Sequence, residues 1–224
     1  MGWHEWTRGA EVEPSLYAAD FANLGAQVST LLRAGARTFH FDVGDGHFVE
    51  PITIGPIVLK DVAPLVHAAG GALDCHLMVD NPERHFRQIA EAGGDSVTFH
   101  VEVTDDVART SALARAHGLE VGVALNPGTP VEVAAEASAG ADLILCMSIH
   151  PGYSGQELMP ASLDRIRALR RLLPDKLIQV DGGIDAENIR AVREAGANLF
   201  VAGSAVFSDG DLPQPYLRLL RALA

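Results

Sequence analysis

The chain has 224 residues, 48% of them apolar and 21% charged, which is the make-up of an ordinary globular protein with enough material for one large α/β domain. Its net charge of −12 argues against the basic face that a nucleic acid or an anionic membrane needs, and no apolar run approaches the roughly 18 residues of a bilayer span. The start, MGWHEWTRGAEVE, lacks the apolar core of a signal peptide, and Trp6 stands where a myristoylation signal carries Ser or Thr, so the expected compartment is the cytoplasm.

Residues 1–10 read as an N-terminal extension whose Trp3 and Trp6 either pack on a neighbouring subunit or belong to a partly disordered end. Residues 11–224 read as a single domain. The first apolar, β-rich run covers residues 12–17 and ends near Ser15, followed by a helix-patterned segment at 22–34. The second run, 37–43, carries His40 and Asp42, which share one side of an extended strand. Further runs at 71–79, 95–101, 119–125, 142–149, 176–180 and 198–202 alternate with helical patterns that include 82–92, 107–117, 161–172 and 186–195. Runs such as 143–147 are apolar on both faces, as parallel strands covered by helices must be. Ala-Gly-Ala or Ala-Gly-Gly recurs at 34–36, 92–94, 139–141 and 195–197, a glycine helix stop leading into the next strand. Cys75 and Cys146 lie inside apolar runs and are expected as small buried core residues.

Eight strands alternating with helices in 224 residues predict an α/β fold of the (β/α)8 TIM-barrel class. The alternative, a doubly wound open sheet, would carry a G-x-G-x-x-G turn after its first strand, and none is present. In such a barrel the active site forms at the C-terminal ends of the strands. Here those ends carry Ser15, His40 with Asp42, His76, His100, Asn126, Met147 with Ser148, Asp181 and Gly203-Ser204. A single strand histidine is more readily a hydrogen-bonded core residue than a ligand. Four ligand-type residues on one rim, His40, Asp42, His76 and Asp181, instead predict a site for one divalent metal ion. Imidazole with carboxylate suits Zn, Fe, Mn or Co. His100 either reaches this site or satisfies a backbone group. His4, His67, His85 and His117 are expected to face solvent, His47 to orient its loop, and His150 is left open.

The Gly-rich turns Gly152-Tyr153-Ser154-Gly155, Gly182-Gly183 and Gly203-Ser204 follow strands six to eight, where barrels often bind phosphate through backbone amides. A metal and two carboxylates beside an anchored phosphate suit proton abstraction next to a carbonyl. Asp42 and Asp181, from opposite sides of the barrel, would remove a proton from one face and return one to the other.

Pro14-Ser15-Leu16, His40-Phe41-Asp42-Val43-Gly44-Asp45-Gly46-His47-Phe48-Val49, Ile52-Thr53-Ile54-Gly55-Pro56 and Asp74-Cys75-His76-Leu77-Met78-Val79 together resemble the ribulose-phosphate 3-epimerase family. So do Asn126-Pro127-Gly128-Thr129-Pro130, the segment from Met147 to Gln156, Val180-Asp181-Gly182-Gly183 and Val201-Ala202-Gly203-Ser204-Ala205, in the family's order over about residues 12–210. The resemblance implies a barrel of the ribulose-phosphate-binding type in which His40, Asp42, His76 and Asp181 hold the metal and the two aspartates exchange the C3 proton of D-ribulose 5-phosphate and D-xylulose 5-phosphate. It implies substrate contacts at Ser15, Met78 and Met147, phosphate contacts at the three Gly turns, and a homo-oligomer, dimer or hexamer. The chain departs from the family at Tyr17, Ala18, Ser154 and above all Gly44, where a Met is usual. A missing Met is expected to open space, which admits another pentulose, a tetrulose or a hexulose 6-phosphate as substrate. A phosphosugar decarboxylase of the same topology would carry a lysine in the Asp-x-Lys-x-x-Asp pattern of strand two, absent here. A non-catalytic phosphosugar-binding protein would not need both aspartates.

Overall fold

The computed structural model describes residues 2–7, 9–208 and 212–224. Eight parallel strands make one sheet: β1 Glu11–Pro14, β2 Thr38–Gly44, β3 Ala72–Met78, β4 Ser96–His100, β5 Glu120–Leu125, β6 Leu143–Met147, β7 Leu177–Asp181 and β8 Leu199–Ala202. Their order is β1-β8-β7-β6-β5-β4-β3-β2. A parallel bridge between Ser15 and His40 brings the two ends together and closes the barrel. Each strand lies within two residues of its expected run except the first. Ser15 leaves β1 and starts a 3-10 turn, Leu16–Ala18, and β6 stops at Met147.

The helices are α1 Trp3–Trp6, α2 Leu24–Arg33, α3 Pro56–Ala68, α4 Phe86–Ala92, α5 Val107–Ala116, α6 Val131–Ala137, α7 Ser162–Leu172, α8 Ile189–Ala195, α9 Ser204–Phe207 and α10 Gln214–Leu223. Helix α3 falls outside the periodicity because it is apolar nearly all round and holds Pro64 in its interior, a residue that normally marks a break. Helix α6, Val131 to Ala137, gives too short a pattern to register.

Strand alternation separates two cores. The outward side chains of β2, Phe39, Phe41 and Val43, join Cys75, Phe99, Cys146 and Phe200 under the helices. Each large side chain buried there contributes about 1.5–3 kcal/mol. Both cysteines are free and fully buried, as expected. Inside the barrel Leu143, Leu145, Met147 and Leu199 form a second apolar cluster on one side. The other side is polar: Glu13, His40, Asp74, Ser96, Thr98 and Gln179 are all wholly buried.

The N-terminal segment corrects the expectation that it packs on a neighbour or is disordered, Met1 and Arg8 lying outside the described residues. Trp3 and Trp6, 2% and 8% exposed, pack on the interior cluster with Ala72, Leu143 and Leu199, which begin β3, β6 and β8. Their rings meet edge to face, centroids 5.2 Å apart. Helix α1 therefore plugs the mouth opposite the expected site, because an open barrel floor would leave those side chains wet.

Candidate active site

The period-two alternation of β2 points His40 and Asp42 into the barrel at its C-terminal rim, and parallel pairing sets Asp42 beside His76 of β3. Asp181 enters at the end of β7. The Asp42 Oδ1 atom lies 3.1 Å from His76 Nδ1 and 3.3 Å from His40 Nε2. Asp181 Oδ2 lies 3.6 Å from His76 Nδ1 and 4.0 Å from His40 Nε2. One ligand atom from each of the four residues falls within 4.8 Å of every other. Ligands at about 2.0–2.1 Å around one cation sit about 3.0–3.4 Å from each other, so the spacing suits one divalent ion with modest contraction. His40 Nε2 is buried with no hydrogen-bond partner in the protein, which a cation would supply. These residues fit a metal.

The charges around the two aspartates push them apart. Burial works against the Asp42 carboxylate, but His40 and His76 outweigh it and hold it far below the ordinary range. Ser15 adds a hydrogen bond from Oγ to Oδ2 at 2.6 Å. Burial raises Asp181, and the neighbouring Asp42 charge adds to it, to about 7. For His40, burial opposes the charged form, yet Asp42 and Asp74 raise its pKa. One carboxylate is thus held ionised while the other is shifted upward to where both of its forms coexist near neutral pH, the pattern of an acid–base pair.

A cavity opens above this cluster, lined by Ser15, Asp42, Met78, Met147 and Asp181. On its far side stand Gly152, Tyr153, Ser154 and Gly155, with Gly182, Gly183, Gly203 and Ser204 completing the wall. Every site residue read from the sequence therefore either lines this cavity or, like His40 and His76, is buried in its floor. Gly183 must be glycine: its φ is +69° and a Cβ would meet Leu158 N at 2.3 Å. The Ser148 hydroxyl donates to the carbonyl oxygens of Asp181 and Gly182 and pins this turn.

Other expectations are corrected. Gly44 leaves no open space. A Cβ there would meet Val49, the Pro51 carbonyl and Thr53, all at 2.9–3.0 Å, so the loop after β2 has folded in over it. Thr53 fixes that loop, accepting from Gly44 N–H at 2.6 Å and donating to the Asp42 carbonyl at 2.7 Å. Tyr17 lines the cavity. His4, His67 and His117 face solvent, but His85 is half-buried. His47 is exposed, and its backbone N–H rather than its ring holds the loop, donating to Asp45. His150 is exposed as well.

Sequence reading missed a supporting layer. Asp74 accepts from Ser96 at 2.7 Å and Gln179 at 2.8 Å and lies 3.0 Å from His40 Nδ1, while Gln179 also bonds Glu13. His100, undecided from sequence, reaches inward: its Nε2 lies 2.9 Å from His76 Nε2, and its Nδ1 3.2 Å from Glu102. The signal was available, since Asp74 precedes His76 by two residues and Glu102 follows His100 by two.

Comparison with known proteins agrees with this geometry. The sequence profile described as "Ribulose-phosphate 3 epimerase family" matches residues 11–207. The chain is 41% identical over 206 residues to a ribulose-phosphate 3-epimerase of Bacillus subtilis, covering 90% of this chain and 94% of that protein. It is 42% identical to a cytoplasmic isoform of the same enzyme from Oryza sativa, covering 90% and 89%. Among solved structures, 3-hexulose-6-phosphate synthase of Salmonella typhimurium superimposes with a TM-score of 0.72 over 95% of this chain and 98% of that one. At 16% identity, this likeness concerns the fold alone. Among the described residues no helix is long and apolar enough to cross a membrane.

Proposed function

Because the chain belongs to the ribulose-phosphate 3-epimerase family, and so is an isomerase acting on a sugar phosphate, we propose that it is a metal-dependent 3-epimerase interconverting D-ribulose 5-phosphate and D-xylulose 5-phosphate. The observation that carries this reading is the opposed state of Asp42 and Asp181 beside one ligand cluster. Two carboxylates flanking a carbon, one ionised and one protonated, can invert a stereocentre adjacent to a carbonyl.

Asp42, held ionised by His40 and His76, accepts the C3 proton. Asp181, whose carboxyl burial and Asp42 push up to about 7, is available in its protonated form to deliver a proton to the other face, and the roles exchange in the reverse direction. Ser15 keeps the Asp42 carboxylate oriented. A divalent ion held by His40, Asp42, His76 and Asp181 would supply Lewis-acid stabilisation of the negative charge that develops on the substrate oxygens. Met78 and Met147 cover the reacting carbons and exclude water. Among the described residues the cavity wall carries no Lys or Arg, so the phosphate is held by the backbone amides of Gly152–Gly155, Gly182-Gly183 and Gly203-Ser204 and by the Ser204 hydroxyl.

A related ketose phosphate was the alternative while Gly44 stood for an enlarged pocket. With Val49, Pro51 and Thr53 packed over that position, Gly44 itself does not enlarge the pocket, which favours the pentulose 5-phosphate reading. Turnover followed by NMR across tetrulose, pentulose and hexulose phosphates tests this. Ribulose 5-phosphate should be converted with the highest kcat/KM, and a larger value for any other ketose phosphate would refute it.

A further inference from the structure

The two histidines of the ligand cluster use opposite ring nitrogens. His40 turns Nε2 to the cluster and sets Nδ1 against Asp74 Oδ2 at 3.0 Å. His76 does the reverse: Nδ1 faces Asp42 and Asp181, and Nε2 points away to His100 Nε2 at 2.9 Å. The His76 and His100 rings are wholly buried and nearly parallel, 24° apart with centroids 5.1 Å from each other. The face of His100 is also covered, by Phe48 at 4.6 Å. His100 Nδ1 lies 3.2 Å from Glu102 Oε2. The other oxygen of Glu102 accepts from Asn126 N–H at 2.8 Å and from the Thr129 hydroxyl, so this carboxylate is fixed in place.

This chain of contacts leaves one arrangement of hydrogens. A histidine that offers its Nδ1 lone pair to a cation carries its hydrogen on Nε2. His76 Nε2 must then donate, and His100 Nε2, which faces it, must accept. The His100 hydrogen therefore sits on Nδ1, where an acceptor-only carboxylate receives it. Replacing Glu102 by a group that cannot accept would let His100 adopt the other tautomer. Two N–H groups would then meet at 2.9 Å, or His76 would lose its Nδ1 lone pair. Outer hydrogen bonds of this kind commonly set the tautomer and basicity of a ligating histidine.

We propose that Glu102, acting through His100, is a positioning residue that holds His76 in its Nε2–H tautomer and so sets how tightly the four-residue cluster binds a divalent cation. The inference rests on the metal-binding reading of His40, Asp42, His76 and Asp181. It adds a three-member relay to the direct support that Asp74 gives His40, and it places the sensitive end of the relay at the rim, where Glu102 is 25% exposed.

The test is a titration of chelator-treated protein with Co2+, following the visible ligand-field absorption, together with competition against a chromogenic chelator for Zn2+. Glu102→Ala and His100→Phe should each weaken both ions about 10- to 100-fold. His100→Gln, whose amide can accept from His76 and donate toward Glu102, should stay within about threefold of the wild-type affinity. Thr129→Val, which removes a loop contact of Glu102 but leaves the relay intact, should bind as the wild type does. In 15N-labelled protein the protected His76 Nε2–H resonance should be present in the wild type and lost in His100→Phe. Wild-type affinity in both Glu102→Ala and His100→Phe overturns the relay alone. Absence of Co2+ and Zn2+ binding to the wild-type protein overturns the metal site, and the relay with it.

Discussion

The Ser15 hydroxyl donates to Asp42 Oδ2 at 2.6 Å, and so ties the end of β1 to the carboxylate of β2 that we assign as proton acceptor. Ser15 also bridges to His40 through the backbone at the seam where the barrel closes. Closure of the fold and orientation of the base therefore depend on the same residue.

Ser15→Ala should lower kcat without a matching rise in KM, because it removes a bond to a charged group worth about 1.5–3 kcal/mol, or about 10- to 100-fold in rate. Steady-state kinetics with ribulose 5-phosphate reads this directly. An unchanged kcat would mean that His40 and His76 orient Asp42 without help.

Glu13 predicts a pH signature in stability. Burial first, and Asp74 second, push its carboxyl up to about 8, against an ordinary value of 4.5. A folded-state pKa above the unfolded one means that the folded protein binds the extra proton. Stability from this group is then complete below about pH 4.5 and is lost as pH rises through about 8. Glu13→Gln cannot ionise, and its amide oxygen can still accept from Gln179. In metal-free protein the Tm advantage of Glu13→Gln over the wild type should grow from pH 5 to pH 9. An advantage that stays flat with pH would show that Glu13 is already ionised in the folded state.

The plug at the barrel floor should matter for stability and not for chemistry. Trp3→Ala removes a large side chain that is 2% exposed, at a cost of about 3–5 kcal/mol. The site lies at the opposite ends of the strands, so kcat at 25 °C should stay within about twofold, since nothing at the reacting centre changes. Urea unfolding with parallel kinetics separates the two effects. A large fall in kcat with normal folding would connect floor and rim.

Strand order and the ligand cluster were legible because both follow from short-range periodicity. Residues two apart on β2 share a face, and the C-terminal ends of parallel strands share a rim, so His40, Asp42, His76 and Asp181 converge without knowledge of any distance. Gly44 was misread because its environment is set by Val49, Pro51 and Thr53, residues of a loop whose path no periodicity encodes. Trp3 and Trp6 were misread for a similar reason: a short helix joined to β1 can fold under the barrel or away from it, and only the apolar floor decides. Asp74, Gln179 and Glu13 stayed silent because a polar residue among apolar neighbours reveals its partner only once register sets β1, β3 and β7 around one interior.

The central claim is that Asp42 and Asp181 act as a pair on opposite faces of C3. Proton NMR of a ketose 5-phosphate in D2O measures it most directly, by following loss of the C3 hydrogen with the wild type, Asp42→Asn and Asp181→Asn, each with its bound metal content determined. Rapid exchange and epimerisation are expected with the wild type. Epimerisation should fall by at least about 10³-fold with either variant, since each lacks the acid or base for one face. Epimerisation at wild-type rate in either metal-loaded variant would contradict the claim.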